Sequence, residues 1–245
     1  MKKSVKILIS ILCLCPILLL TACGTTTYYT ISVAYSDSYL GSATGAYSND
    51  TQVEGTSLVL TARENYPSTN PFICWIKDNS RVVSTDRTLS LTYNSQTAGR
   101  YTVVFEESSP NGMMYIALNE IQFEEFYNIS NINFSLKYAR TVSGSDVYVE
   151  LENGTFSPSD ASYSGAKQNV LYFGTATNSY QYRLRLDLVV TDTTGVETTY
   201  SLNYNDLLSN TSFNNQSTFS AVLTDGVTGG NVTLSFAKLS TSLFS

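Results

Sequence analysis

The 245-residue chain contains no histidine. That absence removes the Ser-His-Asp and Cys-His arrangements and the usual zinc ligand sets, all of which need an imidazole as base or ligand. Cysteine is scarce: Cys13, Cys15, Cys23 and Cys74 are the whole supply. Basic residues are also few, fourteen against twenty acidic, and no run of three or more follows Cys23. Nucleic-acid binding rests on clustered Lys and Arg, so it is not expected. No Gly-Lys-Ser/Thr loop that would cradle phosphate is present. After residue 22 there is no long apolar run, and only 14% of the chain is charged.

What is present begins with a three-part N-terminus. Lys2, Lys3 and Lys6 precede the apolar stretch Ile7 to Leu20, and the small residues Thr21 and Ala22 follow it. This is the layout of an export signal. Fourteen residues fall short of the roughly 20 that a membrane span needs, and Ser10 and Pro16 weaken it further as a permanent helix. Leu20-Thr21-Ala22-Cys23 resembles the bacterial lipobox at all four positions. The resemblance implies a diacylglyceryl thioether on Cys23 and cleavage between Ala22 and Cys23. The acylated Cys23 then holds the protein to the cell membrane on its extracytoplasmic side. Sulfur suits that chemistry as the strongest ordinary nucleophile once ionised, and two or more acyl chains anchor far more firmly than one.

Loss of residues 1–22 would leave 223 residues, enough for one large or two ordinary domains. Three of the fourteen basic residues leave with the leader and all twenty acids stay, so the formal balance moves from −6 to −9. Cys74 is then the sole unmodified thiol, which rules out an intramolecular disulfide. Triplets such as Asn153-Gly154-Thr155 are read as Asn-rich composition, not as glycan sites.

The rest of the chain reads as all-β. Cys23 to Thr27 is a short tether. Tyr29, Ile31, Val33 and Tyr35 then alternate, as do Leu58, Leu60 and Ala62 after the Glu54-Gly55 turn. The order Gly55-Thr56-Ser57-Leu58-Val59-Leu60-Thr61-Ala62, Phe72-Ile73-Cys74-Trp75, the polar turn Asp78-Asn79-Ser80 and the closing Tyr101 to Phe105 resembles the divergent internalin B-type repeat. The resemblance covers about residues 28–107. It implies a small β-grasp or Ig-like module used as a spacer or adhesive unit. Cys74 stands where the repeat has glycine. It is expected to act as a small buried hydrophobe beside a core Trp75, because no base is available to activate it.

Ser108-Ser109-Pro110-Asn111-Gly112 packs chain-breaking residues together and marks a linker, 108–112. Residues 113–245 then read as an antiparallel β-sandwich. Ile132, Phe134, Leu136 and Tyr138 alternate, then Val147, Val149 and Leu151, then Tyr180 through Val190 with Arg183, Arg185 and Asp187 on the opposite face. Thr193-Thr194-Gly195 predicts a hairpin into Val196 to Tyr204. Phe219 to Leu223 and Val232 to Phe236 pair around Asp225-Gly226 and Gly229-Gly230. Asn153 to Asn169 is the longest strand-poor stretch. Asn205 to Gln216 is irregular, with a helical turn expected at Asp206-Leu207-Leu208.

Catalytic signals are thin. Glu124 and Glu125 are neighbours and would face opposite ways on a strand. Glu150 and Glu152 would share a face about 7 Å apart, the spacing that keeps a carboxylate-based glycoside hydrolase in consideration. Tyr163, Tyr172 and Tyr180 flank the long loop and could stack on sugar rings. No catalytic, cofactor or metal residue is assigned. The expectation is a non-enzymatic, lipid-anchored surface protein working in adhesion, binding or as a structural module. Its partners would be the membrane, through Cys23, and a protein or glycan ligand, with a carbohydrate-binding lipoprotein as the alternative.

Overall fold

Strand register follows the two-residue alternation wherever one face is buried. The computed structural model describes residues 25–46, 49–106, 114–124, 126, 128–142, 144–157, 162–165, 167–174, 179–213, 216–224 and 231–245. The lipobox with Ala22 and Cys23, the 108–112 segment, Glu125 and the turn at 225–230 lie outside them. Among the described residues there is no α-helix, and no helix long and apolar enough to cross a membrane.

The first eight strands are β1 (Tyr28–Tyr35), β2 (Gly41–Thr44), β3 (Asp50–Val53), β4 (Ser57–Glu64), β5 (Phe72–Lys77), β6 (Arg81–Ser84), β7 (Thr88–Thr92) and β8 (Gly99–Phe105). They form two sheets, β3-β1-β8-β5-β6 and β2-β4-β7. β1 runs parallel to β8, and the other described pairs are antiparallel. Leu58, Leu60 and Ala62 of β4 turn inward, as their spacing requires, against Ile31, Trp75, Val103 and Phe105 of the facing sheet. Trp75 is fully buried, and its indole N–H donates to the Asp86 carbonyl at 3.1 Å. A β-grasp needs a helix across its sheet, and among the described residues of this half there is none; two sheets face each other instead. Tyr35 is exposed, so the inward row of β1 ends at Val33.

β5 is buried on both sides, which explains its unbroken apolar run from Phe72 to Ile76. Register shifts between Phe72 and Cys74 and between Trp75 and Ile76 divide its side chains between two cores. Phe72 and Trp75 enter the core between the two small sheets, whereas Ile73, Cys74 and Ile76 face away from it. Cys74 is therefore a buried small hydrophobe, but it fills a second core and not the one that Trp75 anchors.

The remaining strands are β9 (Tyr115–Glu124), β10 (Ile129–Val142), β11 (Ser145–Phe156), β12 (Ser162–Ser164), β13 (Val170–Tyr172), β14 (Gln181–Asp192), β15 (Glu197–Asn203), β16 (Leu208–Ser209), β17 (Thr218–Thr224) and β18 (Asn231–Lys238). Eight of them follow one antiparallel path, β11-β10-β14-β15-β17-β18-β9-β12. β13 adds to β9 and β16 to β14. The sheet curls so that its inner face closes on a single core holding Phe134, Leu136, Leu184, Leu186, Leu188, Leu234 and Phe236. Its two ends nearly meet. Tyr163 of β12 packs edge-on against Phe134 of β10 at 4.7 Å, and a Cβ added at Gly154 of β11 would lie 3.1 Å from the Tyr163 ring. This is a sandwich-like arrangement made by curling one sheet.

Three local expectations are corrected. The 153–169 stretch is less strand-poor than its composition suggests: Asn153–Phe156 finish β11, and Ser162–Ser164 add an edge strand to β9. Leu208 and Ser209 extend to pair with β14, and the helical turn falls later, as a 3-10 turn at Asn210–Phe213. Burial of Leu208 and Phe213 beneath the sheet fixes that choice over local propensity. Val147 and Val149 are 55% and 48% exposed, so only Leu151 of the expected inward row is buried.

Candidate functional site

The carboxylate pair is settled by one extra residue. Along β10–β11, Leu136 faces Glu152 and Lys137 faces Glu150, so Leu151 has no partner of its own and forms a β-bulge. The bulge turns Leu151 and Glu152 both inward and leaves Glu150 outside. Glu150 and Glu152 therefore do not share a face. Glu150 accepts hydrogen bonds from Asn153 and, at 2.9 Å, from Ser135, which hold its carboxyl below the ordinary range. Glu152 is only 8% exposed, and the Tyr163 hydroxyl lies 3.4 Å from its carboxylate. Burial, then the Glu152 charge and hydrogen bond, raise the Tyr163 pKa. Glu124 lies exposed at the end of β9.

Cys74 is equally unsuited to chemistry, since burial pushes its thiol pKa up to about 12. Among the described residues no group of three or more His, Cys, Asp or Glu side chains could hold a metal.

Polar and aromatic groups do converge where the small sheets meet the curled one. The β5–β6 turn has left-handed backbone at Asp78 (φ 52°) and Asn79 (φ 57°), a conformation that Asp and Asn tolerate better than other side chains. It is pinned by Asp78, whose carboxylate accepts from the Arg100 N–H at 2.9 Å and whose own N–H donates to the Arg100 carbonyl. The edge of β6 then continues into the other half of the chain. Val82 N–H donates to the Gln168 carbonyl at 2.7 Å, Val170 N–H donates to the Ser80 carbonyl at 3.0 Å, and Arg81 bridges Asn169. Behind this seam lies a third core, with Ile73, Cys74, Ile76, Val82 and Val104 from the first half and Tyr115, Ala117, Val170 and Leu239 from the second. Thr241 adds two hydrogen bonds to the Glu106 carboxylate, from its N–H at 3.2 Å and its hydroxyl at 2.8 Å.

The seam leaves a cavity of about 230 Å³. Asp78, Asn79 and Ser80 of the turn form one wall. Val170, Leu171 and Tyr172 of β13, Tyr138 of β10, Tyr180 just before β14 and Tyr182 within it form the others. The tyrosines are packed on one another: Tyr138 and Tyr182 meet at 5.3 Å and 90°, Tyr172 and Tyr180 at 5.9 Å, and Tyr172 also lies 5.0 Å from the buried Tyr115. Tyr115 Oη is 3.4 Å from Asn79 Oδ1, which ties the aromatic cluster to the turn. Among the described residues of this lining Asp78 is the one charged side chain, and its carboxylate lies 4.0 Å from Lys77 Nζ.

Of the three tyrosines that flank the long loop in sequence, Tyr172 and Tyr180 line this cavity, whereas Tyr163 closes the far side of the curled sheet against Phe134 and Glu152. Asp78, Asn79, Ser80 and Tyr138 join them although the local pattern reads as a repeat turn and an inward strand position. Only long-range pairing places them there, and no sequence signal marks it.

The fold thus defines an all-β protein with two facing small sheets, one curled sheet and a polar aromatic cavity at their junction. No family model matches the chain, and neither a curated protein nor a solved structure matches it.

Proposed function

We propose that the chain is a lipid-anchored surface protein that binds a ligand without transforming it. Residues 28–107 would form a spacer-like module next to the membrane, and residues 113–245, joined to it through 108–112, the larger β-domain. The lipobox Leu20-Thr21-Ala22-Cys23 supports the anchor. The observation that carries the binding part is the junction cavity, where side chains distant in sequence bring hydroxyl, amide and carboxylate groups together with aromatic rings. The divergence of Glu150 and Glu152 removes the support for a hydrolase reading. Detergent phase partitioning of cells expressing the full chain tests the anchor. The native protein should enter the detergent phase, and Cys23→Ser should leave it in the aqueous phase. A native protein found wholly in the aqueous phase overturns the proposal.

A further inference from the structure

We propose that two copies of this chain join through the open edge of β11, strand against strand in antiparallel pairing centred on Val147.

β11 ends the path of the curled sheet, and among the described residues it pairs with β10 alone. Tyr163 of β12 comes close to it at Gly154, but from Ser145 to Glu150 every residue is exposed. An uncovered edge presents a row of N–H and C=O groups that another extended strand can pair, and proteins usually blunt such edges with lysine, proline or a bulge. Between Ser145 and Glu150 there is no lysine and no proline, and the bulge comes only at Leu151. Three successive residues of this stretch, Val147, Tyr148 and Val149, are large, apolar and exposed.

The hairpin dictates which peptide groups point outward. Val142 pairs with Ser145 only three positions on, so that pair must exchange its hydrogen bonds across the turn, and Val147 and Val149 must do the same with β10. Asp146, Tyr148 and Glu150 therefore turn their N–H and C=O groups away from β10. A second copy brings the same edge, and a two-fold axis sets the outward groups of one against those of the other.

Charge and the bulge select the position of that axis. An axis at Tyr148 places Asp146 opposite Glu150 twice, and one at Asp146 places two aspartates face to face; like charges directly opposite are destabilising. An axis at Val149 runs the pairing into the Leu151 bulge. With the axis at Val147, Asp146 faces Tyr148, Ser145 faces Val149, and Val147 meets its own copy at the closely spaced, non-hydrogen-bonded position. The second copy's Asp146 then joins a face that carries Arg183, whose Nε lies 2.9 Å from the Asp146 carboxylate, and Arg185, 5.7 Å from the centre of the Tyr148 ring. This complementarity singles out a second copy as the occupant of the edge.

Oxidative cross-linking of the full chain, purified in detergent and held at about 0.1 mM, tests the proposal with diamide as oxidant. The native chain treated alike sets the background from its own cysteines. Val147→Cys should give a disulfide-linked dimer at least tenfold more than Val222→Cys, a similarly exposed site on β17. Val149→Cys should stay near that background, because the register offsets its two copies by about 13 Å along the strands, beyond the reach of a disulfide. Light scattering at the same concentration, corrected for bound detergent, should return two chains per particle for the native protein. Val147→Lys opposes two ammonium groups across the axis and should return one, with its circular dichroism unchanged because position 147 is exposed. A native protein with one chain per particle, a dimer that persists in Val147→Lys, cross-linking at Val147→Cys no better than at Val222→Cys or strongest at Val149→Cys, or a particle that holds a different protein in place of the second copy each overturns the proposal.

Discussion

Replacing Leu239 by alanine asks whether the two halves of the chain are one cooperative unit. Leu239 belongs to the second half but sits in the core that also holds Ile73, Cys74, Ile76, Val82 and Val104 of the first. It is 8% exposed, so truncation removes most of a buried side chain at the margin of the cluster, where the cavity can partly collapse. That places the cost near the lower end of Leu→Ala substitutions, about 2–3 kcal/mol. With a urea m-value of about 2–3 kcal/mol/M for a chain of this size, the midpoint should fall by about 1 M. Trp75 is the only tryptophan, is fully buried and lies in the first half, so its fluorescence reports that half alone. Far-UV circular dichroism is weighted toward the larger curled sheet. The shared core requires both transitions to coincide in the native protein and to shift together in Leu239→Ala. A Trp75 transition that stays in place while the circular dichroism transition moves would show independent units and refute the reasoning.

Other outcomes follow from single sites. Cys74, with its pKa pushed up to about 12 by burial, should resist a thiol reagent at pH 8, where about one thiol in ten thousand is ionised, and should react once urea unfolds the chain. Asp187 is raised by partial burial, but hydrogen bonds from Lys137, Ser201 and Arg185 outweigh that and bring it down to about 2. Its folded pKa lies below the unfolded value, so its stabilisation is full above about pH 4 and is lost as pH falls toward 2; acid titrations of Asp187→Asn should show a shallower loss in that window. Glu152→Gln removes the charge beside Tyr163 and should lower the Tyr163 pKa in an ultraviolet titration. A Cβ at Gly165 would lie 2.3 Å from the Leu118 carbonyl oxygen, so Gly165→Ala should cost about 1–3 kcal/mol in urea unfolding through overpacking where β12 leads back beside β9.

Alternation in β4 and β14 is readable directly, because each buries one face along its length: Leu58, Leu60 and Ala62, then Tyr182, Leu184, Leu186, Leu188 and Val190, point inward. The same rule failed at β11, where a single bulged residue, Leu151, reverses the facing of everything beyond it and separates Glu150 from Glu152. Periodicity cannot reveal a bulge, since the extra residue is defined only by its partner strand. The double-sided burial of β5 was visible as an apolar run, but not the identity of its second neighbour. Of the cavity lining, Tyr172 and Tyr180 stand in the sequence beside a long connection, but nothing local shows that they meet. Asp78–Ser80 and Tyr138 reach the cavity through the pairing of residues 168–170 with β6, a contact across about ninety positions that no local pattern encodes.

Intact-mass and N-terminal peptide analysis of the protein taken from the membrane fraction tests the surface-anchor proposal most directly. The account predicts a mature chain beginning at Cys23, missing residues 1–22, with a diacylglyceryl thioether on that cysteine and Cys74 as the sole free thiol in denaturant. A chain that retains residues 1–22, or one that starts elsewhere with Cys23 absent or unmodified, would contradict it.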